Sequence, residues 1–238
     1  MHREIAVEIA VQDAAGARIA VGAGADRLEL CQGLEMGGIT PSLGILEATL
    51  AAVDPAIVHV LIRPRGGGFA YDSDEIAVVA ADIRAAVARG AGGVVVGALD
   101  SAGGVDVEAV RRWQDAAGES SVTFHRAIDA AADPSAVFDA LVTAGVTRVL
   151  TSGGAPRSID GLAALAGFAA QGGIEVMAGG GVRPEDVGAL RAAGVDSVHL
   201  SARTRVGHSA VSGPGGGAPG HDATDAAIVA AAVAAARG

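Results

Sequence analysis

Residues 27–46 read RLELCQGLEMGGITPSLGIL, and the parsing of this stretch decides the fold. Leu28 and Leu30 alternate with Arg27, Glu29 and Cys31. A period of two sends the two sets to opposite faces of a strand. One face is apolar; the other carries a cation, a carboxylate and a thiol. Leu34 to Gly38 then make a glycine-bearing loop at the strand's C-terminal end. Thr40 has the side chain of an N-cap, and Pro41 has the fixed φ of a first helical residue. The unit is strand, loop, helix.

The same unit recurs along the chain. AGADRLEL (23–30), GAGGVVVG (90–97), AGVTRVLTS (144–152) and AGVDSVHLSA (193–202) each place a glycine at a helix exit and then a short run of apolar character. Glycine suits the left-handed residue that ends a helix, and the runs suit buried parallel strands. Filling the gaps predicts strands at Ile5–Val11, Arg27–Cys31, Ile57–Arg63, Gly93–Ala98, Ser121–His125, Arg148–Thr151, Glu175–Ala178 and Ser197–Leu200. Helices are predicted between them and after them: Ala14–Val21, Pro41–Ala52, Asp74–Arg89, Val105–Ala117, Pro134–Thr143, Ser158–Ala170, Pro184–Ala192 and Asp225–Arg237. Eight such pairs in 238 residues fit a single-domain α/β chain, a (β/α)8 TIM barrel, which takes about 250 residues. An open doubly wound sheet fits less well, because no G-x-G-x-x-G follows the first strand; a nicotinamide cofactor is not expected for the same reason. Residues 207–224, GHSAVSGPGGGAPGHDAT, read as a flexible linker before the last helix, with His208 and His221 in it as solvated loop residues or, alternatively, metal ligands.

Composition narrows the function. The net charge is −10, which disfavours nucleic acid and acidic membrane surfaces as partners. The apolar tail 226–236 is too short to span a bilayer. The lone cysteine, Cys31, excludes an internal disulfide and fits a reducing compartment. All 17 basic residues are arginine. With no lysine, the chain has no nucleophile for a Schiff base with a carbonyl substrate or with pyridoxal phosphate. The alanine-rich helices suggest a homo-oligomer.

In a barrel, alternate strand residues face the lumen. Turning the apolar sets toward the helices points Glu8, Glu29, Cys31, His59, Arg63, Arg65, Thr123, His125, Ser152, Met177, Gly179, His199 and Ser201 inward. GGVVVGAL, the fourth strand, is apolar on both faces and has no evident phase. One outcome is a closed ionic network, with Glu8 and Glu29 balancing Arg63 and Arg65. The other is a site, since several of these groups lie near strand C-termini, where barrel enzymes hold their chemistry. Arg63 and Arg65 in IRPRGGGF offer forked donors for carboxylate or phosphate. Gly179, Gly180 and Gly181 after the seventh strand, with Ser152 and Ser201 on neighbouring strands, could line an anion pocket. In TFHRAID, His125 with Asp129 four residues on could be an acid/base imidazole oriented by a carboxylate, or Asp129 an ordinary cap. Glu8 or Glu29 could act as the base, or join His125 around a divalent metal.

The motifs LELC, GGITPSLG, IRPRGGGF, TFHRAID, RVLTSGG and AGGGV, in this order, resemble the CutC family of copper homeostasis proteins. The resemblance runs to about Ala202. It implies a TIM barrel, a cytoplasmic location and the handling of copper(I), with site positions at Glu8, Glu29, Cys31, Arg63, Arg65, His125 and Asp129. The chain departs from the family pattern on strand one, where Glu8-Ile9-Ala10-Val11 stands in place of E-I-C-C. Cys31 then has only Met36, Met177 and His125 as conceivable company for a soft metal. Two functions follow from the sequence: a copper-homeostasis barrel, or an enzyme acting on a small anionic metabolite, phosphorylated or carboxylated.

Overall fold

A computed structural model describes residues 4–207 and 220–238. Eight parallel strands close into a barrel in chain order. They are β1 Ala6–Val11, β2 Arg27–Leu30, β3 Val58–Leu61, β4 Gly93–Val96, β5 Ser121–Phe124, β6 Arg148–Thr151, β7 Glu175–Gly179 and β8 Ser197–Leu200. The helices are α1 Ala14–Gly22, α2 Leu43–Leu50, α3 Ser73–Ala88, α4 Val107–Ala117, α5 Pro134–Ala144, α6 Leu162–Gln171, α7 Val187–Ala192 and α8 Ala226–Arg237. This is the (β/α)8 barrel expected from the alternation.

The strands turn an apolar set outward under the helices. Val7, Ile9, Leu28, Leu30, Val58, Val60, Val94, Val96, Val149 and Val198 share one buried cluster with helix residues such as Ile83, Phe138, Leu165 and Val229. Full burial of a side chain of this size contributes about 1.5–3 kcal/mol, so this layer holds most of the fold. A separate small cluster of Cys31, Leu61 and Val95 lies inside the lumen. It phases β4: Gly93, Val95 and Gly97 face inward. The glycines are there for space. A Cβ at Gly97 would stand 2.4 Å from His125 Nδ1, and one at Gly93 2.7 Å from His59 Nδ1.

Three local expectations are corrected. α2 starts at Leu43 with Ser42 as its cap, two residues after Pro41. Thr40 is engaged elsewhere: its Oγ1 accepts from the Arg63 backbone N–H at 3.0 Å, and its own N–H donates to the Arg63 carbonyl. That tie sews the loop after β2 to the end of β3. The residues read as a linker include a strand: β9 Arg203–Val206 pairs antiparallel with β10 His221–Thr224. His221 lies in β10, and His208 lies outside the described residues. Finally, β3 ends at Leu61, and Arg65 is carried out of the lumen to an ion pair with Glu75 on α3. No helix among the described residues is long and apolar enough to cross a membrane.

Candidate functional site

The lumen has two storeys. At the foot, Arg27 Nε donates to Glu8 Oε2 at 2.5 Å, and its Nη2 reaches Glu175 Oε1 at 3.2 Å and the Met177 sulfur at 3.3 Å. Arg148 pairs with the same Glu175 oxygen at 2.7 Å and donates to Thr123 Oγ1. The expected ionic network exists, but with other partners. Arg63 and Arg65 do not balance Glu8 and Glu29; Arg27 and His199 take Glu8. Strand register decides this, because Glu8 stands level with Arg27 on one side and with His199 on the other.

Above this foot a cavity of about 210 Å³ opens at the C-terminal end of the strands. Its polar lining includes Glu29, Arg63, His125, Arg126, His199 and Ser201, and the Gly180–Gly181 turn forms part of the rim. Leu34, Leu61, Phe69 and Leu150 supply apolar walls. His199 connects the storeys. Its Nδ1 lies 2.8 Å from Glu8 Oε1 and its Nε2 lies 3.8 Å from Glu29 Oε2.

The charges are set by this stacking. Burial opposes ionisation of Glu8, but the His199 hydrogen bond and the Arg27 charge outweigh it and hold Glu8 well below the ordinary carboxylate range. Burial also acts on Glu29 and here prevails: it lifts the carboxyl to about 7, against the pull of His199 and with a push from Glu8. Burial would lower His199, yet Glu29 and Glu8 together raise it. The result is an anchored carboxylate, a proton-holding imidazole, and a carboxyl facing the cavity that changes charge near neutrality.

His125 has a different part. Its Nδ1 accepts from the Ala127 backbone N–H at 3.1 Å. That nitrogen therefore carries no proton, and in the neutral ring Nε2 carries it. Nε2 is buried without a partner. Burial lowers the imidazole to about 3, with the nearby Arg63 charge adding to the effect. The predicted pairing with Asp129 is not formed. Asp129 instead accepts from Thr151 Oγ1 at 2.6 Å and from the Ser152 and Gly154 N–H groups, and it pairs with Arg126 at 2.8 Å.

The guanidinium of Arg63 is clamped by main-chain carbonyls, at 3.1 Å to Gly38 and 2.8 Å to Gly67, and lies over Phe69 with 5.1 Å to the ring centre. Arg126 was not among the expected site residues. It follows His125 directly, so strand alternation would turn it outward. The chain leaves β5 in a 3-10 turn, Arg126–Ala130, which swings it over the mouth beside Gly180. A Cβ on Gly180 would stand 2.9 Å from Arg126 Cζ.

The structure thus gathers Glu29, Arg63, His125, Gly180, Gly181 and Ser201 around one cavity. Glu8 supports it from below. Ser152 is buried behind it, hydrogen-bonded to Asp129 and the Ala155 carbonyl, and Gly179 packs against Leu150. Arg65 is outside. Cys31 is fully buried beside Leu61 and Val95, and burial pushes its thiol well above its ordinary range. Of the other described sulfurs, Met36 is 55% exposed and Met177 accepts from Arg27. Glu8, Glu29 and His199 do bring one donor atom each within 4.8 Å of the others. They are oxygen and nitrogen donors, and Glu8 is already held by Arg27 and His199. Copper(I) prefers sulfur, and the described residues do not present such a site.

Residues 5–204 match the CutC family. The chain is 44% identical over 203 residues to a family protein CutC of Xanthomonas campestris pv. campestris (strain 8004), covering 83% of each chain. It is 43% identical over 203 residues to a family protein CutC of Xylella fastidiosa (strain Temecula1), covering 84% of this chain and 76% of that one. Among solved structures, it is similar to one named as copper homeostasis protein CutC from Streptococcus agalactiae. That likeness has a TM-score of 0.77 at 30% identity, covering 83% of this chain and 98% of the other.

Proposed function

The chain belongs to the CutC family, and from that premise we propose that its working part is the cavity at the barrel mouth, where a small anionic metabolite binds and exchanges a proton with Glu29. The observation that carries this reading is the composition of one enclosed space. Two guanidiniums, Arg63 and Arg126, share a cavity with a carboxyl that titrates at about 7. The arginines are forked donors that suit a carboxylate or phosphate. A carboxyl with this pKa works as base and acid at neutral pH. The volume, about 210 Å³, admits a small metabolite and not a polymer.

Binding tests it. Inorganic phosphate, oxalate and pyruvate are titrated into the protein by calorimetry. Arg63→Ala and Arg126→Ala are each expected to weaken the anion that binds by about tenfold, the size of one charge-assisted hydrogen bond. If none of the three binds at millimolar concentration, the reading fails.

Copper homeostasis, the role for which the Streptococcus agalactiae relative is named, supports a second reading in which copper is cargo. The surroundings of Cys31 argue against tight copper(I) chelation within one chain, since the thiol is buried among aliphatic side chains. A role in copper balance would then run through the metabolite pocket or through contacts between copies. Copper(I) titration of the wild type against Cys31→Ala separates the cases. Stoichiometric binding that depends on Cys31 would restore direct chelation.

A further inference from the structure

The proposed function leaves one feature unused: a buried imidazole N–H, on a residue of the cavity wall, with nothing to bond to. His125 Nε2 has no partner, and a buried donor without an acceptor costs about 1–3 kcal/mol. The fold builds this situation deliberately. The Ala127 N–H fixes Nδ1 as an acceptor, Gly97 leaves the ring its space in β4, and Phe69 and Phe124 flank it with ring centres at 4.9 Å and 6.0 Å. Burial, with the charge of Arg63 over the same Phe69 ring, disfavours a second proton on the imidazole.

We propose that His125 is an electrophilic catalyst, a neutral imidazole whose Nε2–H donates to a carbonyl oxygen of the bound anion, and that the substrates of this pocket are accordingly small anions carrying a carbonyl next to an acidic C–H. The inference rests on the anion-pocket reading and names its substrate class. A neutral imidazole suits this task because its N–H is closer in acidity to an enol than an imidazolium is, and it stays bonded while negative charge develops. The step is a proton transfer. The Glu29 carboxylate takes the proton from the carbon beside the carbonyl. The C–H electron pair becomes the new C=C bond, and the carbonyl π pair moves onto the oxygen held by His125. Glu29, now a carboxylic acid, returns the proton to the same carbon, and the oxygen's electron pair re-forms the carbonyl. Nothing is oxidised or reduced, and no co-reactant is consumed.

Three measurements test it. In histidine-labelled protein, ¹⁵N NMR is expected to show Nε2 protonated and Nδ1 unprotonated at His125 from pH 5 to pH 8, with no titration; the other tautomer, or an imidazolium at pH 6, overturns the proposal. Oxalate, a planar mimic of an enolate, is expected to shift the Nε2 resonance and to bind about tenfold more weakly to His125→Leu, with much of the loss recovered in His125→Gln, which keeps an N–H. Pyruvate in D₂O is expected to exchange its methyl protons faster with wild type than with Glu29→Gln. Oxalate that binds wild type and His125→Leu equally removes the donor role and leaves the anion pocket standing. Anions that fail to bind wild type at all remove both. Absence of exchange above the blank removes the proton step.

Discussion

Arg27 stands at the foot of the lumen with Glu8, Glu175, Ser197 and Met177 around its guanidinium. Its removal leaves Glu8, which is fully buried, with His199 alone to balance it. Breaking a buried pair from one side costs about 3–5 kcal/mol, and Arg27→Met is expected to lose about that much in urea unfolding. Arg89→Ala removes only an exposed pair with Glu47 and is expected to change stability by less than about 1 kcal/mol. Equal losses in the two variants would contradict the reading of the lumen as a paired ionic core. The histidines give a second prediction. His59 and His125 are lowered to about 4 and about 3, burial being the main cause in each. The unfolded chain therefore binds more protons than the folded one below about pH 6.5, and stability present above that pH is lost as the pH falls. Glu29 works in reverse: raised to about 7, it loses stability as the pH rises from 4.5 toward 7. Near pH 6.5 Glu29 and the raised His199 offset the two lowered histidines; below about pH 5.5 only Glu29 opposes them, so the Tm is expected to drop on acidification from there to pH 4.5. Replacing His59 by Gln should flatten the slope. A Tm that is level or rising toward pH 4.5 would contradict these burial effects.

At the scale of elements, what the sequence disclosed and what it hid have physical causes. Strands β1, β2 and β8 were legible because their polar and apolar residues alternate, and alternation in a closed sheet means lumen against helices. β4 was illegible because its lumen face is Gly93, Val95 and Gly97, which carry no polar mark. The rings of His59 and His125 opposite the glycines, and the packing of Val95 with Cys31 and Leu61, reveal the phase. The choice of Arg63 and Arg65 as partners of the lumen carboxylates failed on two counts. Alternation was carried through Pro64 past the end of β3, and register, which sets Glu8 beside Arg27, is invisible in a single strand. Gly97 turns this into a test. Gly97→Ala would push a Cβ to 2.4 Å from His125 Nδ1; the expected result is a loss of at least about 1–3 kcal/mol, as for overpacking, together with weakened anion binding. Gly167→Ala in α6, where a Cβ meets nothing within 4 Å, should instead stabilise by about 1 kcal/mol. Both are read from thermal unfolding. A neutral Gly97→Ala would show that His125 is not held as described.

For the whole molecule, closure of the helix ring falls to α8, which lies beyond the residues that match the family. α8 packs between α1 and α7 and covers β1. It buries Val229, Ala232, Val233 and Ala236, and Arg237 ties its end to the Gly24 carbonyl and Asp26. Its start is tied to the site: the Asp225 N–H donates to the carbonyl of Ala202 at 2.8 Å, one residue after Ser201 in the cavity wall, and Asp225 caps the helix through Ala227 and Ile228. Two buried valines contribute about 3–6 kcal/mol, before counting the face of β1 that α8 shields. That sum is comparable with the entire stability of a domain, about 5–15 kcal/mol. A chain ending at Thr224 is therefore expected to lose its cooperative transition and to bind a hydrophobic dye. The single tryptophan, Trp113, reports from the far side of the ring, buried with its Nε1–H on the Ile76 carbonyl. Its emission should shift red along with the loss of far-UV signal if the barrel opens as one unit. A truncated chain that keeps its Tm within a few degrees and its Trp113 emission unchanged would mean that seven helices suffice to close the barrel, and that the tie from Asp225 to Ala202 does not hold the mouth.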